Sequence, residues 1–205
     1  MKKDIIKRYY DEIYYNKIRV ESDGYPEYRA RLVLRHLRNK GKILNVGCGR
    51  GFESREFKKA GHYVVGTDIS KKVLKFSRKL QDESYLLDAQ EKMPFRRDSF
   101  DTIYAGELLE HLPFPSLFLK EAYKVLKPKG KLIVIVPNIA RFRNRVSILF
   151  NKLPFNEEHL HELTTEHVKK LFSDAKFKIV YMRGTKGLFR RFPSLTGELF
   201  IVAIK

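Results

Sequence analysis

KILNVGCGRG, residues 42–51, passes from a short apolar run into a loop with glycine at every second position, Gly47, Gly49 and Gly51. An apolar run of this length, closed by glycine, reads as a buried strand. Residues without a Cβ let the backbone turn tightly and come close to a ligand. An ordinary strand-to-helix turn explains one or two such glycines better than three. A dinucleotide loop has the spacing G-x-G-x-x-G and would need glycine at position 52. Phe52 stands there, and the third glycine comes one residue early. The spacing suits a ligand without a pyrophosphate.

Outward from this loop the chain alternates strands and helices. YVVGTD (63–68) is a second strand, followed by a helix over SKKVLKFSRKL (70–80) with Ser70 as its N-cap. SYLLD (84–88) and FDTIYA (100–105) are the third and fourth strands. PSLFLKEAYKVL (115–126) is a helix stopped by Pro128 and Gly130. KLIVIVPN (131–138) is the fifth strand, and LTTEHVKKLFSDA (163–175) a helix capped by Thr164 or Thr165. FKIVYMRG (177–184) and ELFIVAIK (198–205) close the chain as two strands that pair as a hairpin. Before Lys42, Ile5, Ile6, Tyr9, Tyr10 and Ile13 recur at helical spacing, as do Tyr28, Leu32, Leu34 and Leu37. Repeated β-α units predict an α/β fold with a mostly parallel sheet and helices on both faces. Ligands of such sheets sit beyond the C-terminal ends of the strands. Asp68 and Asp88 stand at two of those ends.

Composition narrows the field. A chain of 205 residues, 43% hydrophobic, has material for one domain with a substantial core. No apolar run approaches the roughly 18–20 residues of a membrane span. The charged N-terminus lacks the apolar stretch of a secretory signal, which reads as cytoplasmic. The single cysteine, Cys48, excludes an intrachain disulfide and a cysteine-based zinc site. The net charge of +18 favours anionic partners: nucleic acid, an acidic membrane surface or a phosphorylated metabolite.

ILNVGCGRG resembles motif I of the class I S-adenosylmethionine-dependent methyltransferases, and the likeness runs from Lys42 to Lys205. The resemblance implies a Rossmann-like, seven-stranded, mostly parallel sheet with an antiparallel C-terminal strand. It makes residues 1–205 a single domain, with 1–40 as an N-terminal helical cap and 137–163 as a lid or substrate insertion. The cofactor it implies is S-adenosyl-L-methionine, with S-adenosyl-L-homocysteine as product. In the family the loop wraps the methionine part, which assigns Asn45, Gly47, Cys48, Gly49 and Gly51 to the cofactor. Asn45 replaces the usual acid and keeps a side-chain oxygen for the ammonium. GTDIS places Asp68 on the ribose and Ile69 on the adenine, and Asp88-Ala89 meets the adenine amino group. SFDTIYAGELLEHLPFP resembles motif IV, with Tyr104 and Gly106 near the sulfonium.

The resemblance makes His111, His159 and His161 the candidate catalytic groups. Tyr10, Tyr14, Glu107 and Arg141 are candidates for acceptor contact. A metal site from Glu107, Glu110, His111, His159 and His161 is conceivable, though no metal-ligand spacing supports it. The [Asp/Asn]-Pro-Pro-aromatic tetrad of amino-nitrogen methylation is absent. The expected acceptor is a small or lipid-like molecule, and the basic surface keeps RNA as the alternative. Two segments mix basic and aromatic residues: Arg141, Arg143 and Arg145 with Phe142 and Phe150, and Arg183, Lys186, Arg190 and Arg191 with Phe189 and Phe192. The first is expected to be a helix packed by its apolar stripe on the sheet edge, its basic face solvated; a lid and an interfacial helix are the functional readings.

Overall fold

A computed structural model describes residues 23–152 and 159–205. Its strands are β1 Lys42–Val46, β2 Tyr63–Asp68, β3 Glu83–Leu86, β4 Phe100–Gly106, β5 Leu126–Pro137, β6 Lys178–Gly184 and β7 Glu198–Ile204. Its helices are α1 Tyr25–Leu34, α2 Phe52–Lys59, α3 Lys71–Ser77, α4 Pro115–Val125, α5 Phe142–Leu149 and α6 Thr165–Asp174, with a one-turn 3-10 helix at Leu109–His111. The sheet order is β3-β2-β1-β4-β5-β7-β6. β1 pairs with β2, β2 with β3 and β4 with β5 in parallel, whereas β7 runs antiparallel to both β5 and β6. This is the Rossmann-like sheet that the sequence implies, including its antiparallel C-terminal strand. The expected N-terminal helix around Ile5–Ile13 lies outside the described residues.

The chain divides into two compact units, Met1–Ala89 and Gln90–Lys205. In the first, Ile43, Leu44, Val64 and Val65 are wholly buried on consecutive strand positions, as expected of parallel strands covered on both faces. Phe57 of α2 and Val73 of α3 join this core. The pairs Arg29–Glu53, at 2.6 Å, and Arg55–Glu27 tie α1 to α2. α3 starts where expected: the Ser70 hydroxyl accepts from the Val73 amide at 3.2 Å, satisfying one of the amides that open a helix.

In the second unit the core is Ile103 of β4, Ile133–Ile135 of β5 and Ile201 of β7, with Phe118 and Leu119 of α4 and Phe172 of α6. Thr164 caps α6 by accepting from the His167 amide. β5 begins five residues earlier than the sequence indicates. Leu126 already pairs with Phe100, and the register then slips until Lys131 meets Thr102. Pro128, which has no amide to donate, and Lys129, with φ of 63°, lie in the slipped stretch. The expected breakers thus interrupt a strand instead of separating helix from strand.

Ser70→Ala removes a cap whose hydroxyl is fully buried. It should lower stability by about 1 kcal/mol in urea unfolding. An unchanged midpoint would show that the hydroxyl contributes nothing.

Candidate active site

The first unit holds the glycine loop and both strand-end acids. Gly47, Gly49 and Gly51 all take positive φ, at 67°, 53° and 81°. Two of these glycines serve different ends. A Cβ on Gly51 would stand 2.8 Å from the Ser77 Cβ, so this glycine lets α2 begin hard against α3. A Cβ on Gly49 would meet nothing within 4 Å, so the backbone there borders open space. Asp68 closes the loop from the end of β2. One carboxylate oxygen accepts from the Gly49 amide at 3.0 Å and the other from the Ser70 amide at 2.9 Å. The Cys48 amide donates to the Thr67 carbonyl at 2.9 Å. A carboxylate oxygen has two lone pairs, so one backbone bond does not use up its capacity to accept. Ile69 and Asp88 are half-buried and Ala89 is buried; Asp88 stands two residues beyond the end of β3.

Asn45 and Cys48 also have partners within the unit. Asn45 is buried, and its amide nitrogen donates to the Ser54 hydroxyl at 2.9 Å. That side chain braces β1 against α2, a role with no local spacing to announce it. The Cys48 thiol turns into the protein, 3.7 Å from the Ser77 hydroxyl and 3.8 Å from the Gln81 amide nitrogen. Burial first, then the charge of Asp68, pushes its pKa up to about 12. The thiol is a small packed group there, which leaves the Cys48 backbone alone to face a ligand.

The second unit carries the remaining candidates. Tyr104 is buried within β4, and a Cβ on Gly106 would collide with its hydroxyl. Glu107, directly after β4, holds a φ of 52°, a costly conformation for a residue with a Cβ. The 3-10 turn follows. Glu110 is fully buried, with the His111 Nε2 3.9 Å from its carboxylate. The His159 ring packs edge-on to His111, with centroids 5.2 Å apart. Each of these three residues offers a ligand atom within 4.8 Å of the others. One carboxylate and two imidazoles can hold a divalent cation of borderline softness, or can handle a proton. These are three of the five residues considered for a metal in the sequence, and the fold brings them together although His159 lies far along the chain.

The histidine segment is fastened by backbone. The Glu110 carbonyl accepts from the amides of both Leu160 and His161, at 2.8 and 3.1 Å. The His161 ring nitrogen lies 3.2 Å from the Pro113 carbonyl, which makes His161 an anchor of the segment. The Arg141 Nε donates to the Asn144 side-chain oxygen at 2.8 Å. Tyr10 and Tyr14 lie outside the described residues.

Residues 44–134 match the methyltransferase domain family. This stretch is less than half of the chain; it is similar to that domain, and the seven-stranded sheet has the class I methyltransferase fold. The chain is similar to the ubiquinone biosynthesis O-methyltransferase of Hydrogenovibrio crunogenus, with 35% identity over 94 residues, 43% of this chain and 39% of that protein. It is also similar to the malonyl-[acyl-carrier protein] O-methyltransferase of Erwinia pyrifoliae, with 33% identity over 104 residues, 49% of this chain and 40% of that protein. The chain thus spans about two fifths of the length of these relatives. The fold matches a S-adenosylmethionine-dependent methyltransferase of Archaeoglobus fulgidus with a TM-score of 0.72, at 19% identity over 90% of this chain and 95% of that one.

The loop fits S-adenosylmethionine, the cofactor that the resemblance implies. The open space at Gly49 and the Asp68 carboxylate are what an adenosyl amino acid requires. Gly49→Ala would put a methyl group into that space. Calorimetry should show the Kd for S-adenosylhomocysteine rising about tenfold or more, with stability falling by only about 1 kcal/mol. Unchanged affinity would remove Gly49 from the cradle.

The Cys48 thiol supplies a second check. At pH 8 the folded thiol should react with Ellman's reagent on the order of a thousandfold more slowly than the unfolded one, because so little of it is thiolate. A raised folded pKa also fixes the sign of its linkage to stability. Its contribution is complete below the unfolded value near 9.0 and is lost as pH rises from there towards about 12. Fast labelling of the folded protein at pH 8 would contradict the burial.

Proposed function

We propose that this chain transfers a methyl group from S-adenosylmethionine to an oxygen of a small or lipid-like acceptor. The observation that carries the reading is the coupling of the open Gly49 backbone to the Asp68 carboxylate within one hydrogen-bonded loop. The names of the relatives, both O-methyltransferases, support oxygen as the atom methylated. When bound, the cofactor supplies a sulfonium methyl that is already electrophilic, so the protein's part is chiefly alignment and exclusion of water.

In this reading the backbone of Gly47, Cys48 and Gly49 lies along the methionine part. Asp68 accepts from the ribose hydroxyls while keeping its two backbone bonds, and Asp88 accepts from the adenine amino group between Ile69 and Ala89. The resemblance assigns Tyr104 and Gly106 to the methyl end of the cofactor and Glu107 to the acceptor. His159 accepts the hydrogen bond of the acceptor hydroxyl, with His111 packed against its ring and the buried Glu110 carboxylate beside His111. A positioned imidazole of this kind contributes about 10²–10⁴ in rate.

A second reading, an RNA acceptor, draws support from the net charge of +18. One assay separates them: transfer of labelled methyl into fractionated cell extract should place label in the lipid or small-molecule fraction. Label confined to RNA would overturn the acceptor class, and label nowhere would overturn the activity. With the acceptor in hand, His159→Ala should lower turnover by about 10²-fold or more while leaving the affinity for S-adenosylhomocysteine unchanged. Chelation tests the other use of the trio, since loss of turnover restored by a divalent cation assigns it to metal.

A further inference from the structure

α5 is built inside out. Phe142, Val146, Leu149 and Phe150 follow one another at i, i+4, i+7 and i+8 and so share one face of the helix. A surface helix normally turns such a stripe inward. Here all four residues are exposed, and the buried residue of the helix is Asn144. The Asn144 amide donates to the Ile139 carbonyl at 2.8 Å, and its oxygen accepts from Arg141. The helix is thus held by its polar side, contrary to the packed stripe the sequence leads one to expect.

The second basic and aromatic segment lies against the first. The Phe142 and Phe189 rings are 5.0 Å apart. The Phe142 amide donates to the Leu195 carbonyl and the Arg145 guanidinium to the Ser194 carbonyl, both at 3.0 Å. Together the segments present Leu149 at 82% exposure, Phe150 at 72%, Leu188 at 89% and Phe192 at 59%. Arg143, Lys186, Arg190 and Arg191 are exposed beside them. Residues 139–152 and 183–197 contain no aspartate or glutamate.

We propose that this surface, α5 with the 185–195 loop, docks on an anionic lipid bilayer. Large side chains ringed by cations, with no acid among them, match the boundary between acyl chains and acidic headgroups. RNA would use the cations and the aromatic rings equally well. It has no use for protruding leucines, which offer no face for a base to stack on, whereas hydrocarbon takes them readily. The occupant is therefore lipid. Docking is a property of the surface and does not require the proposed methyl transfer.

The test is co-sedimentation of the full chain with phosphatidylcholine vesicles, with and without phosphatidylglycerol. Binding should appear with phosphatidylglycerol and be weak without it. The double variants Leu149→Glu/Leu188→Glu and Arg190→Glu/Arg191→Glu should each weaken it about tenfold or more. Both variants should keep the wild-type affinity for S-adenosylhomocysteine, which separates loss of docking from loss of folding or of the cofactor site. No binding to either vesicle would overturn the proposal. So would equal binding by the leucine variant, or a leucine variant that loses single-stranded RNA and keeps the vesicles.

Discussion

The Asp68 carboxylate ties the glycine loop of the first unit to the junction of β2 and α3. It ends β2, fixes the second glycine of the loop through one oxygen and opens the turn into α3 through the other. Without it the amides of Gly49 and Ser70 would each need another acceptor, and burying a polar group without one is costly. The loop would also lose the restraint that keeps its left-handed residues in place. A ligand that binds Asp68 therefore meets a carboxylate already oriented by two backbone bonds. That is preorganisation, and it lowers the cost of binding.

Much of this was legible in the sequence. Strand and helix positions follow from apolar periodicity, and the caps at Ser70 and Thr164 from side chains that can accept from a helix's first amides. β5 was misjudged because Pro128 and Gly130 act as breakers in isolation, while pairing to Phe100 overrides them in the sheet. Such tertiary pairing leaves no local mark.

The site divides along the same line. Gly49 and Asp68 could be read because the loop and the strand end each have a spacing dictated by backbone geometry. Asn45 and Cys48 sit within the motif, yet their side chains serve Ser54 on one side and Ser77 with Gln81 on the other. Which way a residue in a glycine loop turns depends on neighbours that the motif does not contain. The meeting of His159 with Glu110 and His111 depends on how the segment after α5 returns, and the sequence carries no period for that. The inverted α5 is a harder case, since its pattern correctly shows an amphipathic helix and only the tertiary structure tells which side is turned out.

The tether on the histidine segment is made wholly of main chain, through the carbonyl of residue 110 and the amides of residues 160 and 161. Any amino acid at those three positions, proline aside at the last two, could supply the same link. The carboxylate and imidazole borne by this scaffold can therefore be exchanged in evolution without releasing the strap that presents them. Relatives with this fold are free to diverge in the reagents they carry while keeping the same mounting.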